Sequence, residues 1–280
     1  MKRILLPTDF SKNAYNAIRY AVHLYRNEEA IFYLLNTFTP TSYHMSYMIE
    51  NPMPYGMEDV AKMNSEKGLQ EIEEKIKSEI DNPNHTFKRL SVFNILVDEI
   101  KDVVNTYDIN MIIMGTKGAT GAKEIFIGTH TMLTIKKVRC PVLAVPADYD
   151  YEQPLDILFP TDYEFNKEHP HLPLLKQLCK LHHSRLNILN AYYGIELTES
   201  QNETKEFIED YFKEVAPVFH IADGMDVLEA VEDFQEKYKI DLLVMIQNKH
   251  SFFENLIFKP VVKDLVFHTH IPFLVIPSDN

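Results

Sequence analysis

The stretch Gly115-Thr116-Lys117-Gly118-Ala119-Thr120-Gly121-Ala122-Lys123-Glu124-Ile125-Phe126-Ile127-Gly128-Thr129 holds the residue types best suited to chemistry. It leaves the apolar run Met111-Ile112-Ile113-Met114, crosses a glycine-studded loop and enters a helix-period segment near Thr129. Phosphate binding needs backbone N–H groups presented at a helix N-terminus, with no Cβ blocking close approach. Gly115 and Gly118 suit the strand exit, and Gly128 and Thr129 suit the helix start. Thr129 and Thr131 add hydroxyls, with His130 between them. Asp9 follows the first apolar run, where a carboxylate can accept hydrogen bonds from ribose hydroxyls or an adenine amino group, or can cap the next helix. Lys117 and Lys123 could touch phosphates. No nucleophile elbow, HExxH or Walker A pattern occurs, and no general base is evident near a γ-phosphate. Any ATP hydrolysis should be slow.

These residues need elements to hold them. Ser11 can cap a helix in which Ala14, Ala17, Ile18, Ala21, Val22 and Tyr25 recur at helical spacing. A strand over Ile31–Thr37 follows, then a charged helix with Leu69, Ile72, Ile76 and Ile80 on one stripe. The run Glu71-Ile72-Glu73-Glu74-Lys75-Ile76-Lys77 supplies its wet face. Strands are expected near Thr86–Phe93, Met111–Thr116 and Val142–Pro146, separated by helices near Leu96–Asn105 and Thr129–Lys137. Continuous apolar runs such as MIIMG and VLAVP read as buried parallel strands. Alternating strands and helices imply βαβ crossovers and an open parallel sheet with helices on both faces. In such sheets ligands bind beyond the carboxyl ends of the strands, where strand order reverses.

The pattern occurs twice. Ile4-Leu5-Leu6-Pro7-Thr8-Asp9-Phe10 is echoed by Ile157-Leu158-Phe159-Pro160-Thr161-Asp162-Tyr163, and Leu34-Leu35-Asn36-Thr37 by Ile188-Leu189-Asn190-Ala191. Pro141-Val142-Leu143-Ala144-Val145-Pro146 is answered by Pro272-Phe273-Leu274-Val275-Ile276-Pro277. Three ordered matches read as two copies of one unit, 1–146 and 154–280, joined by a linker at 147–153. Second-copy strands are expected near Leu155–Thr161, Arg185–Ala191, Val215–Ile221, Ile240–Ile246 and Ile271–Pro277. The first copy carries an excess, Phe38–Met57, rich in Met, Tyr and Pro, that reads as a lid or interface. Counted back from the closing prolines, Ile246, Lys249 and Lys259 stand where the first copy has Gly115, Gly118 and Gly128, and Pro260 stands opposite Thr129. Side chains would fill the phosphate space and Pro260 removes a donor, so the second copy is not expected to bind ATP in this manner.

Composition limits the alternatives. The 280 residues carry a net charge of −13, all of it in the second half: residues 1–146 hold 17 Lys/Arg and 17 Asp/Glu, and residues 147–280 hold 11 and 24. An acidic half repels polyanions, so neither nucleic acid nor an anionic membrane is an expected partner. No run approaches the roughly 18 apolar residues of a membrane span, and the apolar stretch before Pro7 is too short for a signal peptide; a cytoplasmic location is expected. Cys140 and Cys179 are too few for a disulfide framework and sit in apolar stretches, so buried reduced thiols are expected. His169, His171, His182, His183, His268 and His270 lack the thiolates and regular spacing of structural zinc sites. They read as helix-end or loop histidines, with no metal site.

With these motifs in place the chain resembles a tandem universal stress protein. Nucleotide-binding members of that family share Gly-x2-Gly-x9-Gly-(Ser/Thr), which Gly115, Gly118, Gly128 and Thr129 match at full spacing. The Pro-Thr-Asp after the first strand is also the family's. The resemblance implies an α/β architecture of two open five-stranded parallel sheets, order 3-2-1-4-5, of the adenine nucleotide α hydrolase-like kind. It implies that Pro7, Thr8 and Asp9 hold the nucleoside and that Thr37 lines the base pocket at a position usually apolar. Met114, Gly115, Gly118, Gly128, Thr129, His130 and Thr131 would surround the ribose and phosphates. The implied ligand is ATP or a related adenine nucleotide, with Mg as an optional companion, in a regulatory protein with at most weak ATPase activity. The closing strands resemble the edge through which family members dimerise, so the two copies are expected to pair as an internal pseudo-dimer, and two chains could associate further.

Overall fold

The computed structural model describes residues 1–38, 57–116, 128–192, 196–247 and 270–277. By contacts, the described residues up to 140 form one compact unit and those from 141 onward a second. The expected lid segment, apart from its end residues, and the loop holding Lys117, Gly118 and Lys123 lie outside the described residues, as do Lys249, Lys259, Pro260 and His268.

In the first unit, strand β1 (Lys2–Pro7) leads through helix α1 (Lys12–Leu24) to β2 (Ala30–Phe38). Helix α2 (Met57–Glu79), β3 (His85–Phe93), α3 (Leu96–Tyr107), β4 (Met111–Gly115) and α4 (Thr129–Lys137) follow. The strands lie in the order β3-β2-β1-β4 with parallel pairing. Ile4 to Pro7 of β1 and Met111 to Met114 of β4 are buried at every successive position, so both faces of the central strands are covered. Ala14, Ala17, Ile18, Ala21 and Val22 turn α1 inward, and Ser11 Oγ accepts from Ala14 N at 3.2 Å, as its capping type requires. Leu69, Ile72 and Ile76 seat α2, each buried side chain contributing about 1.5–3 kcal/mol.

The second unit contains β5 (Val142–Val145), β6 (Asp156–Pro160), α5 (Leu172–His182), β7 (Arg185–Tyr192) and α6 (Glu199–Tyr211). β8 (Val218–Asp223), α7 (Val227–Lys237), β9 (Leu242–Ile246) and β10 (Phe273–Ile276) complete it. Strands β8-β7-β6-β9-β10 run parallel in that order, and β5 pairs antiparallel with β10, Leu143 opposite Leu274. The strand expected from Val215 begins instead at Val218. A 3-10 turn at Lys213–Val215 ends on Ala216 in the left-handed region, and Pro217 lacks the N–H a ladder needs.

Cys140 and Cys179 are buried, free thiols that burial pushes up to about 12. No described helix is long and apolar enough to cross a membrane.

His85 gives the first unit a pH dependence. Its Nε2–H donates to the Tyr25 carbonyl at 3.0 Å, and its ring meets Phe32 edge-on. Burial pushes the imidazole below its ordinary 6.5, against the pull of that bond. The unfolded chain therefore takes up a proton near pH 6.5 that the folded chain resists, so stability declines as pH falls below that value. His23 and His220 are lowered mainly by burial too and act with the same sign. The urea midpoint is expected to fall between pH 7 and 5.5, and to fall less in His85→Gln.

Candidate functional site

Register brings the sequence-predicted residues to one end of the first sheet. Pro7 pairs with Leu35, and Thr37 lies two residues further along β2. Ile4 pairs with Met111 and Leu5 with Ile112, which sets Met114 level with Pro7. Thr8, Asp9, Thr37, Gly115 and Thr116 therefore stand at or just beyond the carboxyl ends of β1, β2 and β4. The order β3-β2-β1-β4 makes the β1/β4 boundary the point where the chain reverses its direction of winding, the crevice such sheets use for ligands.

The β1 exit is a fixed turn. Thr8 N donates to Leu35 O at 2.8 Å, and Asn36 Nδ2 donates to Thr8 O at 2.7 Å. Phe10 sits at φ 65, a left-handed position that costs a non-glycine residue about 1–2 kcal/mol. Thr8 Oγ1 holds it there by accepting from Phe10 N at 3.0 Å. Phe10 also rests on Gly68 of α2, where a Cβ would lie 2.7 Å from its ring. Asp9 Oδ1 accepts from Ser11 N at 3.1 Å, so this carboxylate shapes the turn while Ser11 caps the helix. Asp9 is nevertheless exposed, leaving carboxylate surface open to a ligand.

The same bonds recur at the exit of β6. Thr161 N donates to Leu189 O, Asn190 Nδ2 to Thr161 O, Tyr163 N to Thr161 Oγ1, and Glu164 N to Asp162 Oδ1, each at 2.9 Å. Tyr163 sits at φ 61. The amino ends agree as well: Arg3 N donates to Asn110 Oδ1 at 2.9 Å and Asp156 N to Asp241 Oδ2 at 3.0 Å. What differs is access. Gln201, already closing a capping box with Thr198 at the start of α6, donates from Nε2 to Asp162 O at 2.9 Å. Asp162 is only partly exposed, and burial pushes its carboxyl up.

At the β4 exit, Thr131 Oγ1 donates to Gly115 O at 2.8 Å, and Gly128 N bonds Thr116 O. These two bonds clamp the first turn of α4 against the strand end. Gly128 is the helix N-cap, with no side-chain cap bond, at φ −56 and ψ 147. Any residue can adopt that conformation, so backbone strain does not call for glycine here. The first turn carries no acidic residue and the last carries Lys136 and Lys137. The leading N–H groups thus keep the positive end of the helix dipole, a fit for phosphate oxygens. Thr129 and His130 are exposed on that turn. Thr131→Val is expected to lower stability by about 1 kcal/mol in urea unfolding, because Gly115 O loses its buried donor.

Gly115 has a further partner that the sequence did not signal. A Cβ there would lie 2.5 Å from Asn13 Nδ2 and 2.7 Å from Oδ1, so α1 packs on β4 through this glycine. Asn13 is 9% exposed, and among the described residues neither its Nδ2 nor its Oδ1 has a hydrogen-bond partner, nor does Thr116 Oγ1, in a residue 1% exposed. A buried amide without partners costs about 1–3 kcal/mol. Asn36, by contrast, was legible as one of the echoed residues, and its role at Thr8 explains the echo.

The histidines have local duties. His169 Nε2 donates to Pro277 O at 2.8 Å and its Nδ1 accepts from His171 N at 3.2 Å, while His183 ends α5 in the left-handed region. No group of three or more potential metal ligands occurs among the described residues.

The sheet order defines an open, mostly parallel α/β protein whose winding reverses between β1 and β4. The chain matches the model of the universal stress protein family over residues 1–146. A universal stress protein of Methanocaldococcus jannaschii is 30% identical over 154 residues, covering 51% of this chain and 94% of that protein. A second from the same organism is 26% identical over 144 residues, covering 51% and 81%. A universal stress protein structure from Archaeoglobus fulgidus shares the fold at 19% identity with a TM-score of 0.65, covering 98% of this chain and 97% of its own. The chain belongs to the universal stress protein family.

Proposed function

We propose that the first unit binds an adenine nucleotide, ATP or one of its products, and that the chain is a regulatory protein whose state depends on that ligand. The observation that carries this reading is the pairing of an exposed Asp9 with an uncapped, acid-free α4 N-terminus at the same end of β1 and β4. The carboxylate suits ribose hydroxyls or the adenine amino group, and the helix N–H groups suit phosphate. Pro7, Thr8, Thr37 and Met114 wall the nucleoside side; Gly115, Gly128, Thr129, His130 and Thr131 wall the phosphate side, with Gly118 supplied by the loop between. Hydrolysis, where it occurs, is slow, and Mg would accompany the phosphates.

The recurrent strand-exit bonds support two tandem repeats, 1–146 and 154–280. The lower exposure of Asp162 than of Asp9 supports a second repeat less open to nucleotide. The antiparallel β5 and β10 ladder supports pairing of the repeats as an internal pseudo-dimer. Differential scanning fluorimetry with ATP, ADP and AMP tests the reading. A nucleotide at 100 times its dissociation constant stabilises the native state by about 2.7 kcal/mol. No shift at millimolar concentration of any of the three would favour a scaffold that binds partners without nucleotide.

A further inference from the structure

The molecule offers a shallow polar cavity of about 340 Å³ lined by Tyr163, Glu164, Gln201 and Thr204, and another of about 480 Å³ lined by His23, Arg26, Glu79 and Asp81. Neither holds a buried polar group that points to a ligand. The β4 exit does. Asn13 lies on the first turn of α1, four residues after Asp9, and its carboxamide lies against Gly115 at the carboxyl end of β4. Among the described residues neither its donor nor its acceptor has a partner, in a side chain that is more than nine-tenths buried. Phosphate oxygens could satisfy only Nδ2, whereas a hydroxyl both donates and accepts and so matches the whole group. The adenine N6/N7 edge also donates and accepts, and the place of Asn13 against Gly115, which the proposed site sets on the phosphate side, favours the ribose.

We propose that Asn13 is a specificity-determining residue of the nucleotide site, its carboxamide pairing with a ribose hydroxyl when a nucleotide is seated against Gly115. This rests on the nucleotide reading given above. The buried amide is then a group held ready for the ligand, which explains why a helix position otherwise lined by Ala14, Ala17 and Ile18 carries an amide at all. Asp9 shares the hydroxyl edge, so Asn13 sets part of the preference for ribose and not all of it.

The test is calorimetric titration of ATP and 2′,3′-dideoxy-ATP into the full chain and into Asn13→Ala. The wild type is expected to prefer ATP by at least about tenfold, a site built around a hydroxyl rejecting the analogue that lacks it. Asn13→Ala is expected to reduce that preference about fivefold or more by weakening ATP while leaving the dideoxy ligand bound as before. A merely structural Asn13 would weaken both ligands alike, and that result overturns the proposal. Should Asn13→Ala fold poorly, Asn13→Ser, which keeps one hydroxyl, is expected to give an intermediate preference; an unchanged preference there overturns it equally. Wild-type protein that binds both ligands equally well defeats this proposal alone, and wild-type protein that binds neither defeats the nucleotide reading together with it.

Discussion

Gly128→Asp is expected to raise the stability of the protein slightly and to weaken ATP binding by about two orders of magnitude. The two effects share one cause. Gly128 caps α4 at φ −56 and ψ 147 without a side-chain bond, and aspartate in that conformation caps the free N–H groups better than glycine by a few tenths of a kcal/mol. Its carboxylate also complements the helix dipole. The same carboxylate takes the N–H groups a phosphate would use and sets like charge against it, an interaction of about 4 kcal/mol at 4 Å in the dielectric near a protein surface. Much of that is relieved by movement and screening, leaving on the order of 100-fold in affinity. The melting temperature should rise by about 1 °C while the titration with ATP goes flat. A variant that is both less stable and still binding would show that the glycine serves packing.

Gly115→Ala should act in the opposite way, through the fold first. The new methyl meets Asn13 Nδ2 at 2.5 Å and Oδ1 at 2.7 Å, and the carboxamide must find another place in a crowded crevice. Overpacking of this kind costs about 1–3 kcal/mol, or roughly 3–10 °C in melting temperature for a chain of this size. Asn13→Ala in the same chain should restore most of the loss, so that the double-mutant cycle shows a coupling of about 1 kcal/mol or more. Additive losses would mean that the two residues do not meet as described. Gly115 thus has two duties: it gives α1 its seat on β4, and it leaves the ligand side of the strand end clear.

The parts of this molecule that were legible in the sequence were those in which a local rule and the fold demand the same residue. The apolar run of β4 had to be a buried strand because four successive positions lacked any polar group, and Thr129–Lys137 could be bounded to the residue because Gly128 and Thr129 open it. The echo between the two strand exits is legible because a turn with a left-handed aromatic needs a threonine behind it and an asparagine across from it, at both places. The start of β8 was misplaced because Pro217 and a 3-10 turn overrode an apolar run that looked continuous. Asn13 was invisible for a different reason: asparagine on the first turn of a helix is unremarked by any periodicity, and only the close approach of β4 gives it a meaning. Asp9 reads in sequence as a ligand acceptor or a helix cap; the cap falls to Ser11, and Asp9 holds the turn before it through Ser11 N with its carboxylate exposed.

A crystal structure of the full chain grown with ATP would show where the nucleotide sits. Phosphate oxygens are expected within hydrogen-bond reach of the N–H groups of Thr129, His130 and Thr131, with the ribose near Asp9, at one molecule per chain. Phosphates found only against the loop after β9, or a first-unit crevice filled by the protein's own side chains, would contradict this placement.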